Sequence, residues 1–302
     1  MLTYNREHFL ARMIDCILAQ TFQNFEFIIV DNGSRDRSGK IADEYAQRDR
    51  RIQVIHRERG NIGSGRNTGL DAARGTYIAF VDDDDTCEPD FLAFLHQLAE
   101  DANADISICG ATWANIDEKR LMDAEQAVEM LLWRKNYNVA FPTKLFRREL
   151  FQQNRFLETG KYDDIYLMPK IIANAKKIAY HGLSKYHFDR HTGNNSAWTQ
   201  NHHLLDAETL QEYLDVYQER AGWLSERFPD SAEKWQYFTW SFMLSMVEKI
   251  SRLKLTGCYE IQKGLIAQLN ANYHTLYHCP WILENEKAWM KRYLMPAMAE
   301  SK

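Results

Sequence analysis

Four consecutive aspartates, residues 82–85, directly follow the apolar strand pattern TYIAFV. Adjacent ionised carboxylates repel each other by about 1 kcal/mol or more per pair at an effective dielectric constant of about 20, so the run is costly unless a cation offsets it. Hard divalent ions prefer oxygen ligands, and magnesium typically combines one or two carboxylates with substrate phosphates. The run therefore predicts a site for a metal ion and a diphosphate, and a solvated acidic turn is the alternative.

Composition narrows the class of protein. The chain has 302 residues, of which 45% are hydrophobic and 26% charged, which is enough for one large or two modest domains. A formal net charge of -5 argues against nonspecific nucleic-acid binding, and we expect no nucleic-acid partner.

The cysteines and the apolar runs bear on the compartment. Five widely spaced cysteines without a CxxC pattern indicate neither a disulfide framework nor a zinc site, which fits a reducing cytoplasm. The start of the chain lacks a signal-peptide pattern, and no apolar run approaches the roughly 20 residues of a spanning helix. A cytoplasmic protein is predicted, and peripheral contact with the inner face of a membrane stays open.

The first half of the chain alternates between strand and helix patterns. Apolar strand patterns cover residues 25–31, 52–56, 76–82 and 104–110. Helical patterns lie between them, over residues 6–20 with Asn5 as N-cap, from Ser38, from Ser64 to a C-cap at Gly75, and from Pro89. Such alternation predicts a mostly parallel sheet with helices on both faces.

A glycine-rich loop follows the second of these strand patterns. Its end, Gly63-Ser64-Gly65-Arg66-Asn67, opens a helix, and helix N-terminal amides together with an arginine can hold an anion. The loop is not GxxxxGK[ST], and no GxGxxG follows the first available strand, so neither a P-loop nor a dinucleotide fingerprint is present. Because ligands of open α/β sheets bind beyond the carboxyl ends of the strands, the loop predicts a nucleotide pocket there. A purely structural turn is the alternative.

The order of the motifs resembles the family 2 glycosyltransferases, which use nucleotide sugars. The stretches that carry the resemblance are Thr3-Tyr4-Asn5, Val30-Asp31-Asn32-Gly33-Ser34 with Asp36, Gly65-Arg66-Asn67-Thr68-Gly69, the aspartate run with Pro89-Asp90, PTKLFRRELF, Tyr162-Asp163-Asp164 and the KKIAY pattern. The resemblance covers the chain from residue 3 to about residue 198.

The resemblance assigns roles to individual residues. It implies that Thr3, Tyr4 and Asp31 line the base and ribose pocket and that Arg66 lies near the nucleotide. It implies that Asp82 and Asp83 contact the donor, that Asp84 with Asp82 holds Mn²⁺ or Mg²⁺, and that Arg190 and His191 close over the diphosphate. Asp164 matches the general base of the family. Without the resemblance, Asp163 and Asp164 would be ordinary acidic residues at a helix N-terminus.

The resemblance also implies a fold and a reaction. We expect a Rossmann-like GT-A domain at residues 1–198, with a mixed, mostly parallel sheet flanked by helices, and an all-α region at residues 199–302. The expected reaction is inverting transfer of a sugar from a nucleotide-diphosphate donor, and the expected donor is a UDP-sugar. The expected acceptor is a hydroxyl of a glycan or of a lipid-linked acceptor in surface polysaccharide synthesis. The alternatives are a nucleotide-sugar-binding protein with weakened catalysis and a nucleotidyltransferase.

The chain departs from the family pattern in three places. Only Met1 and Leu2 precede Thr3, where the family has a full hydrophobic strand, so we expect a short first strand that anchors Thr3 and Tyr4 weakly. Asn32 replaces a second aspartate, and Asp163 stands where glutamate is usual.

Beyond residue 201 the patterns are helical. Residues 237–247, YFTWSFMLSMV, are apolar on nearly all sides and too few to span a bilayer, which predicts a buried helix. Lys249, Arg252 and Lys254 follow it, so contact with a membrane surface or with a second copy in a homodimer is the alternative.

Overall fold

The computed structural model of the chain describes residues 1–112, 115–159, 163–189, 191 and 201–294. The chain divides into two compact units, Met1–Arg190 and His191–Lys302. The five cysteines are free thiols.

The first unit opens with a parallel sheet of β1 (Leu2–Thr3), β2 (Phe27–Asp31) and β3 (Ile52–His56). Its helices are α1 (Leu10–Leu18), α2 (Ser38–Ala46) and α3 (Ile62–Ala72). In α1 the fully buried residues Leu10, Met13 and Ile14 recur at helical spacing and join the apolar side chains of β2 in one core. The register pairs Thr3 with Asp31 and Asp31 with His56, so the polar ends of the strands lie side by side.

A second, mixed sheet completes the first unit. Its strands are β4 (Tyr77–Ala79), β5 (Thr86–Cys87), β6 (Ile106–Ala111), β7 (Lys119–Met122), β8 (Lys144–Arg147) and β9 (Ile178–His187), in the order β4-β8-β6-β9-β5 with β7 paired to β9. Its helices are α4 (Phe91–Ala102), α5 (Ala124–Trp133) and α6 (Asp163–Asn174). An isolated parallel bridge between Leu2 and Asp82 connects it to the first sheet.

The predicted α/β fold with a mixed sheet is confirmed, and the structure shows which strand pairs are parallel and which are antiparallel. Over the described residues the parallel strand pairs are β1–β2, β2–β3 and β6–β9, and the antiparallel pairs are β4–β8, β5–β9, β6–β8 and β7–β9. The parallel part carries the Asp31 end, and the antiparallel pairs bring later segments back beside the aspartate run.

Four predicted helix boundaries are wrong, and at two of them, Asn5 and Gly75, a tertiary contact outweighs the local signal. Asn5 has φ of +52° and its side-chain oxygen accepts the Arg35 amide at 2.8 Å, so α1 starts later. The N-cap of α3 is Asn61, which accepts from the Ser64 amide at 2.7 Å. Gly75 is not its C-cap, because the Glu26 carboxylate accepts the Gly75 amide at 2.9 Å in the segment beyond the helix. Helix α4 starts at Phe91 and not at Pro89.

The second unit is helical throughout its described residues. It contains α7 (Ala207–Arg227), α8 (Ala232–Leu253), α9 (Tyr259–Ala271), α10 (Tyr273–His278) and α11 (Glu284–Tyr293), and α8 packs against α7, α9 and α11. Trp235 and Tyr237 are buried, and the Tyr237 hydroxyl donates to the buried Glu286 carboxylate at 2.9 Å. The predicted buried helix at residues 237–247 is confirmed. Within the described ranges, every helix is too short or too polar to cross a bilayer.

Asn67 fastens α3 to the segment that precedes α6. Its amide group donates to the Phe156 carbonyl and the Glu158 carboxylate, and its oxygen accepts the Phe156 amide, each at 3.0 Å. Asn67 is buried, so these groups have little access to replacement water.

Replacing Asn67 by alanine leaves buried backbone groups of Phe156 without partners. We expect Asn67→Ala to lower the free energy of unfolding by about 2–3 kcal/mol, measured by urea denaturation. The control is Asn174→Ala, because the exposed Asn174 side chain donates to Asn154 Oδ1 at 3.2 Å, and its loss should change stability by less than about 0.5 kcal/mol. Equal effects of the two variants would show that Asn67 does not fasten these elements.

Candidate active site

The aspartate run divides into side chains of different exposure. Asp82 keeps 42% of its side chain exposed, whereas Asp85 is buried. The Tyr186 hydroxyl accepts from the Asp82 amide at 3.0 Å and donates to the Asp85 carboxylate at 2.8 Å, and the Asp189 amide donates to the other Asp85 oxygen at 2.8 Å. Burial raises the pKa of Asp85. Asp85 therefore holds the loop to β9, and Asp82 is presented to solvent.

Arg6 faces the middle of the run. Its Nε lies 3.6 Å from Asp83 Oδ1 and its Nη2 lies 3.9 Å from Asp84 Oδ2. The Arg6 amide donates to the Ser38 hydroxyl at 2.8 Å, which ties this segment to the start of α2. Burial raises the pKa of Asp83 to about 7. The guanidinium of Arg6 and the carboxylates of Asp83 and Asp84 thus form a largely buried cluster beside the exposed Asp82.

Arg66 connects the run to α6. Its Nη1 donates to Asp163 Oδ2 at 3.1 Å and its Nη2 lies 3.6 Å from Asp82 Oδ1. The guanidinium carbon lies 5.7 Å from the ring centre of Phe141 and 5.3 Å from that of Phe156, so aromatic faces enclose the charge. Burial by itself would lower the pKa of Arg66, and the charges of Asp163 and Asp82 raise it above its ordinary value.

Asp164 stands next to this ion pair in the first turn of α6. Its Oδ1 accepts the Ile165 amide at 2.8 Å. Burial, followed by the neighbouring charge of Asp163, raises the pKa of Asp164 to about 6. The two adjacent acids therefore have different environments. Asp163 pairs with Arg66, whereas Asp164 has a pKa at which it can exchange a proton near neutral pH.

The strand ends of the first sheet place the residues predicted for the base pocket. Thr3 is buried and its carbonyl accepts the Asn32 amide at 2.9 Å, and the Arg59 guanidinium lies 3.3 Å from the ring centre of Tyr4. The prediction that Thr3 and Tyr4 are weakly anchored is therefore wrong, because the ladder to β2 and the arginine hold them. The first strand is short, as predicted.

Both carboxylate oxygens of Asp31 have partners within the first unit. Its Oδ1 accepts the Ser34 amide at 3.0 Å, and its Oδ2 lies 3.0 Å from His56 Nδ1. The bond to Asp31 raises the pKa of His56 above its ordinary value. A nucleotide that contacts Asp31 would bind to a carboxylate that is already bonded to Ser34 and His56.

Asn32 explains one departure from the family pattern. Its side-chain nitrogen donates to the Gly60 carbonyl at 2.9 Å, and its oxygen accepts the Gly60 amide at 3.1 Å. A carboxylate could accept from that amide but could not donate to the carbonyl. The amide side chain therefore closes the glycine-rich loop onto the end of β2.

The structure gathers most of the predicted site residues at one edge of the first unit. Through Arg66, through Arg6 and through the strand register it connects Asp82, Asp83, Asp84, Asp163, Thr3 and Asp31. Arg190 lies outside the described residues, and the half-buried His191 begins the second unit.

Sequence reasoning missed several partners of these residues, namely Arg6, His56, Arg59 and Tyr186. For His56 a signal was present, because it is the last residue of a strand pattern in the same way as Asp31. For Tyr186, which is about 100 residues from the run, no local signal exists.

Comparisons with known proteins identify the family of the chain. The family model Glycosyl transferase family 2 matches residues 1–160, more than half of the chain. The chain belongs to glycosyltransferase family 2. It is 39% identical over 166 residues to the uncharacterized glycosyltransferase EpsJ of Bacillus subtilis, a match that covers 51% of this chain and 48% of EpsJ. The chain thus spans about half the length of that relative.

Solved structures confirm the GT-A fold of this family 2 member. TarS 1-349 of S. aureus in complex with UDP-GlcNAc superposes with a TM-score of 0.63 at 15% identity, covering 98% of this chain and 91% of that one. The mannosyltransferase PcManGT of Pyrobaculum calidifontis, in complex with GDP-Man and Mn²⁺, gives a TM-score of 0.53 at 14% identity and covers 96% and 83%.

The carboxylates at this edge of the first unit have the chemistry to bind a hard metal ion together with a phosphate ligand. Over the described residues there is no group of three or more His, Cys, Asp or Glu side chains able to hold an ion alone. Asp82 and Asp84 offer hard oxygen ligands, and each carboxylate lies near an arginine, Asp82 3.6 Å from Arg66 and Asp84 3.9 Å from Arg6. Magnesium commonly binds through one or two carboxylates plus substrate phosphates. Two carboxylates leave coordination positions that phosphate oxygens could fill.

The raised pKa of Asp164 has a consequence for stability. A carboxyl whose pKa is higher folded than unfolded stabilises the fold when protonated, and that contribution is lost as pH rises from about 4 through about 6. Above pH ~6 the ionised Asp164 therefore destabilises the native state. We expect Asp164→Asn to raise stability by about 1–3 kcal/mol at pH ~8 and to gain much less at pH ~4, measured by thermal unfolding at both values.

The matched control is Asp230→Asn, an exposed aspartate of the second unit. It should change stability by less than about 0.5 kcal/mol at either pH. A gain for Asp164→Asn that is equal at both pH values would contradict the burial of its charge.

Proposed function

We propose that the protein is an inverting, metal-dependent glycosyltransferase that takes a UDP-sugar as donor. The observation that carries the proposal is the Arg66 guanidinium, enclosed by aromatic rings and placed between the Asp82 carboxylate and the first turn of α6. It puts a fixed positive charge where the donor's phosphates would lie, beside the pair of acids that the transfer requires.

The donor site has a nucleotide side and a phosphate side. Thr3, Tyr4 and Asp31 at the carboxyl ends of β1 and β2 form the side for the base and ribose. Asp82 and Asp84 would hold Mn²⁺ or Mg²⁺, which when bound stabilises the charge on the departing nucleoside diphosphate as a Lewis acid. Asp83, which lies 3.6 Å from Arg6, is proposed to contact the donor, and Arg66 adds a preorganised cation near the same phosphates. The roles that the resemblance implies for Arg190 and His191 stay predictions.

Asp164 is proposed as the general base. A base works best when its pKa lies near the working pH, and burial brings the pKa of Asp164 to about 6. It would take the proton of the acceptor hydroxyl as that oxygen attacks the anomeric carbon on the face opposite the leaving diphosphate. One displacement of this kind inverts the configuration.

The donor class and the acceptor class are supported by two different comparisons. The likeness to TarS with UDP-GlcNAc favours a UDP-sugar, and the family resemblance favours a glycan or lipid-linked acceptor in surface polysaccharide synthesis. Residues 1–198 would form the catalytic domain and residues 199–302 a helical region that contacts the acceptor, the inner face of the membrane or a second copy.

The first prediction concerns the base. We expect Asp164→Asn to lower kcat for sugar transfer by about 10²- to 10⁴-fold while the affinity for UDP stays within about twofold. For the wild-type protein, kcat should rise with pH through about 6 and then level off, because Asp164 must be deprotonated to act as the base. Normal turnover by Asp164→Asn would place the base elsewhere.

The second prediction concerns the metal and the donor. Thermal unfolding with UDP at a hundredfold excess over Kd should show a stabilisation of about 2.7 kcal/mol in the presence of Mn²⁺. Asp84→Ala should remove the Mn²⁺-dependent part, and Asp230→Asn should leave it unchanged. Reaction products then separate the rivals, since pyrophosphate release identifies a nucleotidyltransferase, and UDP binding without transfer identifies a binding protein.

A further inference from the structure

His56 lies between two carboxylates at the end of β3. Its Nδ1 lies 3.0 Å from Asp31 Oδ2 and its Nε2 lies 3.0 Å from Asp43 Oδ1. Asp31 ends the neighbouring strand β2 and Asp43 belongs to α2, so the ring connects the sheet to the helix. The side chain of Asp31 is 8% exposed and that of Asp43 is 49% exposed, so the two carboxylates differ in their access to water.

These two contacts decide the charge of the ring. A neutral imidazole has one N–H donor and one acceptor nitrogen, whereas an imidazolium has two donors. An ionised carboxylate only accepts, so a neutral ring could bond to Asp31 or to Asp43 but not to both. The proton stays on the ring, because the ordinary pKa of histidine is about 6.5 and that of aspartate about 3.9. His56 is therefore an imidazolium when both contacts are formed, and the bonds to Asp31 and then to Asp43 raise its pKa.

Other histidines of the first unit do not need a second proton. His181 Nε2 lies 2.7 Å from Asp117 Oδ1, a contact that a single ring N–H satisfies. His187 Nε2 lies 2.7 Å from Glu88 Oε1, and its Nδ1 lies 3.2 Å from the Thr112 hydroxyl, which can donate to a neutral ring. The double carboxylate contact thus distinguishes His56 from these two.

The elements around β3 supply no nearer charge to the ring. β3 packs against β2 and α2, whose acids at His56 are Asp31 and Asp43. The other charged or titratable side chains of α2, and the residue after β3, have partners of their own: Lys40 with Glu44 at 3.9 Å, Tyr45 with Asp15 at 2.8 Å, and Arg57 with Thr68 at 3.3 Å.

We propose that His56 is a positioning residue of the donor site, whose positive charge holds the Asp31 carboxylate in place for the nucleotide, so that nucleotide binding is linked to its protonation. The proposal rests on the proposed function, because it takes Asp31 as part of the base and ribose side. The Ser34 amide orients Asp31 Oδ1 at 3.0 Å and His56 orients Oδ2, and the remaining lone pairs can accept from a ribose hydroxyl or a base N–H. Loss of the proton turns a charge-assisted bond into a neutral one, which is roughly half as strong.

Gly39, in the first turn of α2, leaves room for the Asp31–His56 pair. A Cβ at this position would lie 2.6 Å from Asp31 Oδ2 and 3.3 Å from His56 Cε1. The first distance is too short for a contact, so a side chain here would displace the carboxylate. Alanine is otherwise more favourable than glycine within a helix. Gly39→Ala therefore separates Asp31 from His56 while the helix is retained.

The first measurement is the titration of His56 by NMR of its ring nitrogens in the protein without ligand. The pKa of wild-type His56 should lie above the ordinary value of about 6.5. Asp43→Asn keeps an oxygen acceptor but removes a charge, so it should lower the pKa of His56. The matched control is Asp117→Asn, the partner of His181, which should leave the pKa of His56 unchanged. Equal effects of the two variants, or a wild-type pKa at or below the ordinary value, would overturn the proposal.

The second measurement is the affinity for UDP with Mn²⁺ as a function of pH. We expect the wild-type affinity to fall about fivefold as His56 loses its proton, and Asp43→Asn to move this midpoint to lower pH. His56→Gln should lose this part of the pH dependence, because other titrating acids are common to both proteins, and Gly39→Ala should bind as weakly at low pH as the wild-type protein at high pH. By linkage, bound UDP must raise the pKa of His56 by the logarithm of the same affinity ratio.

The outcomes separate the role of His56 from the proposed function. No binding of UDP to the wild-type protein would contradict the proposed function and the role of His56 with it. UDP binding whose pH dependence is the same in the wild-type protein and in His56→Gln would overturn the role of His56 alone. Should His56→Gln fail to fold, Asp43→Asn decides, because an unmoved midpoint of UDP binding would equally overturn that role.

Discussion

The buried guanidinium of Arg66 is the interaction on which the arrangement of the site depends. It compensates carboxylates from two elements that are distant in sequence, Asp82 after β4 and Asp163 at the start of α6. Removing one partner of such a buried pair leaves an uncompensated charge, so the two elements are held together electrostatically. Asp164 owes its place and its raised pKa to this neighbourhood, because burial and the Asp163 charge both oppose its ionisation.

The surrounding polar bonds fix the loops that carry these charges. The Tyr186 hydroxyl holds both ends of the aspartate run, Asn32 closes the glycine-rich loop, and Asn67 fastens α3 near α6. Each bond joins segments that come from different parts of the chain. The site is therefore preorganised before any ligand arrives, which is the condition for effective electrostatic stabilisation of a leaving group.

Much of the fold is predictable from sequence, because burial patterns are local. The strand pattern at residues 52–56 and the helix start at Ser38 match the structure, since apolar spacing and turn residues decide them. Most of the site residues that came from the motifs lie near one another at one edge of the first unit. The misplaced boundaries, such as Asn5, and the missed partners, such as Tyr186, depend on contacts across 30 to 104 residues.

The most direct measurement is the anomalous diffraction of manganese in a crystal grown with UDP and Mn²⁺. The account predicts one strong peak at a bonding distance of about 2.0–2.6 Å from carboxylate oxygens of Asp82 or Asp84 and from the diphosphate, with Arg66 beside the phosphates. A bound UDP with no anomalous peak near these aspartates, and with Asp82 turned into bulk solvent, would contradict it.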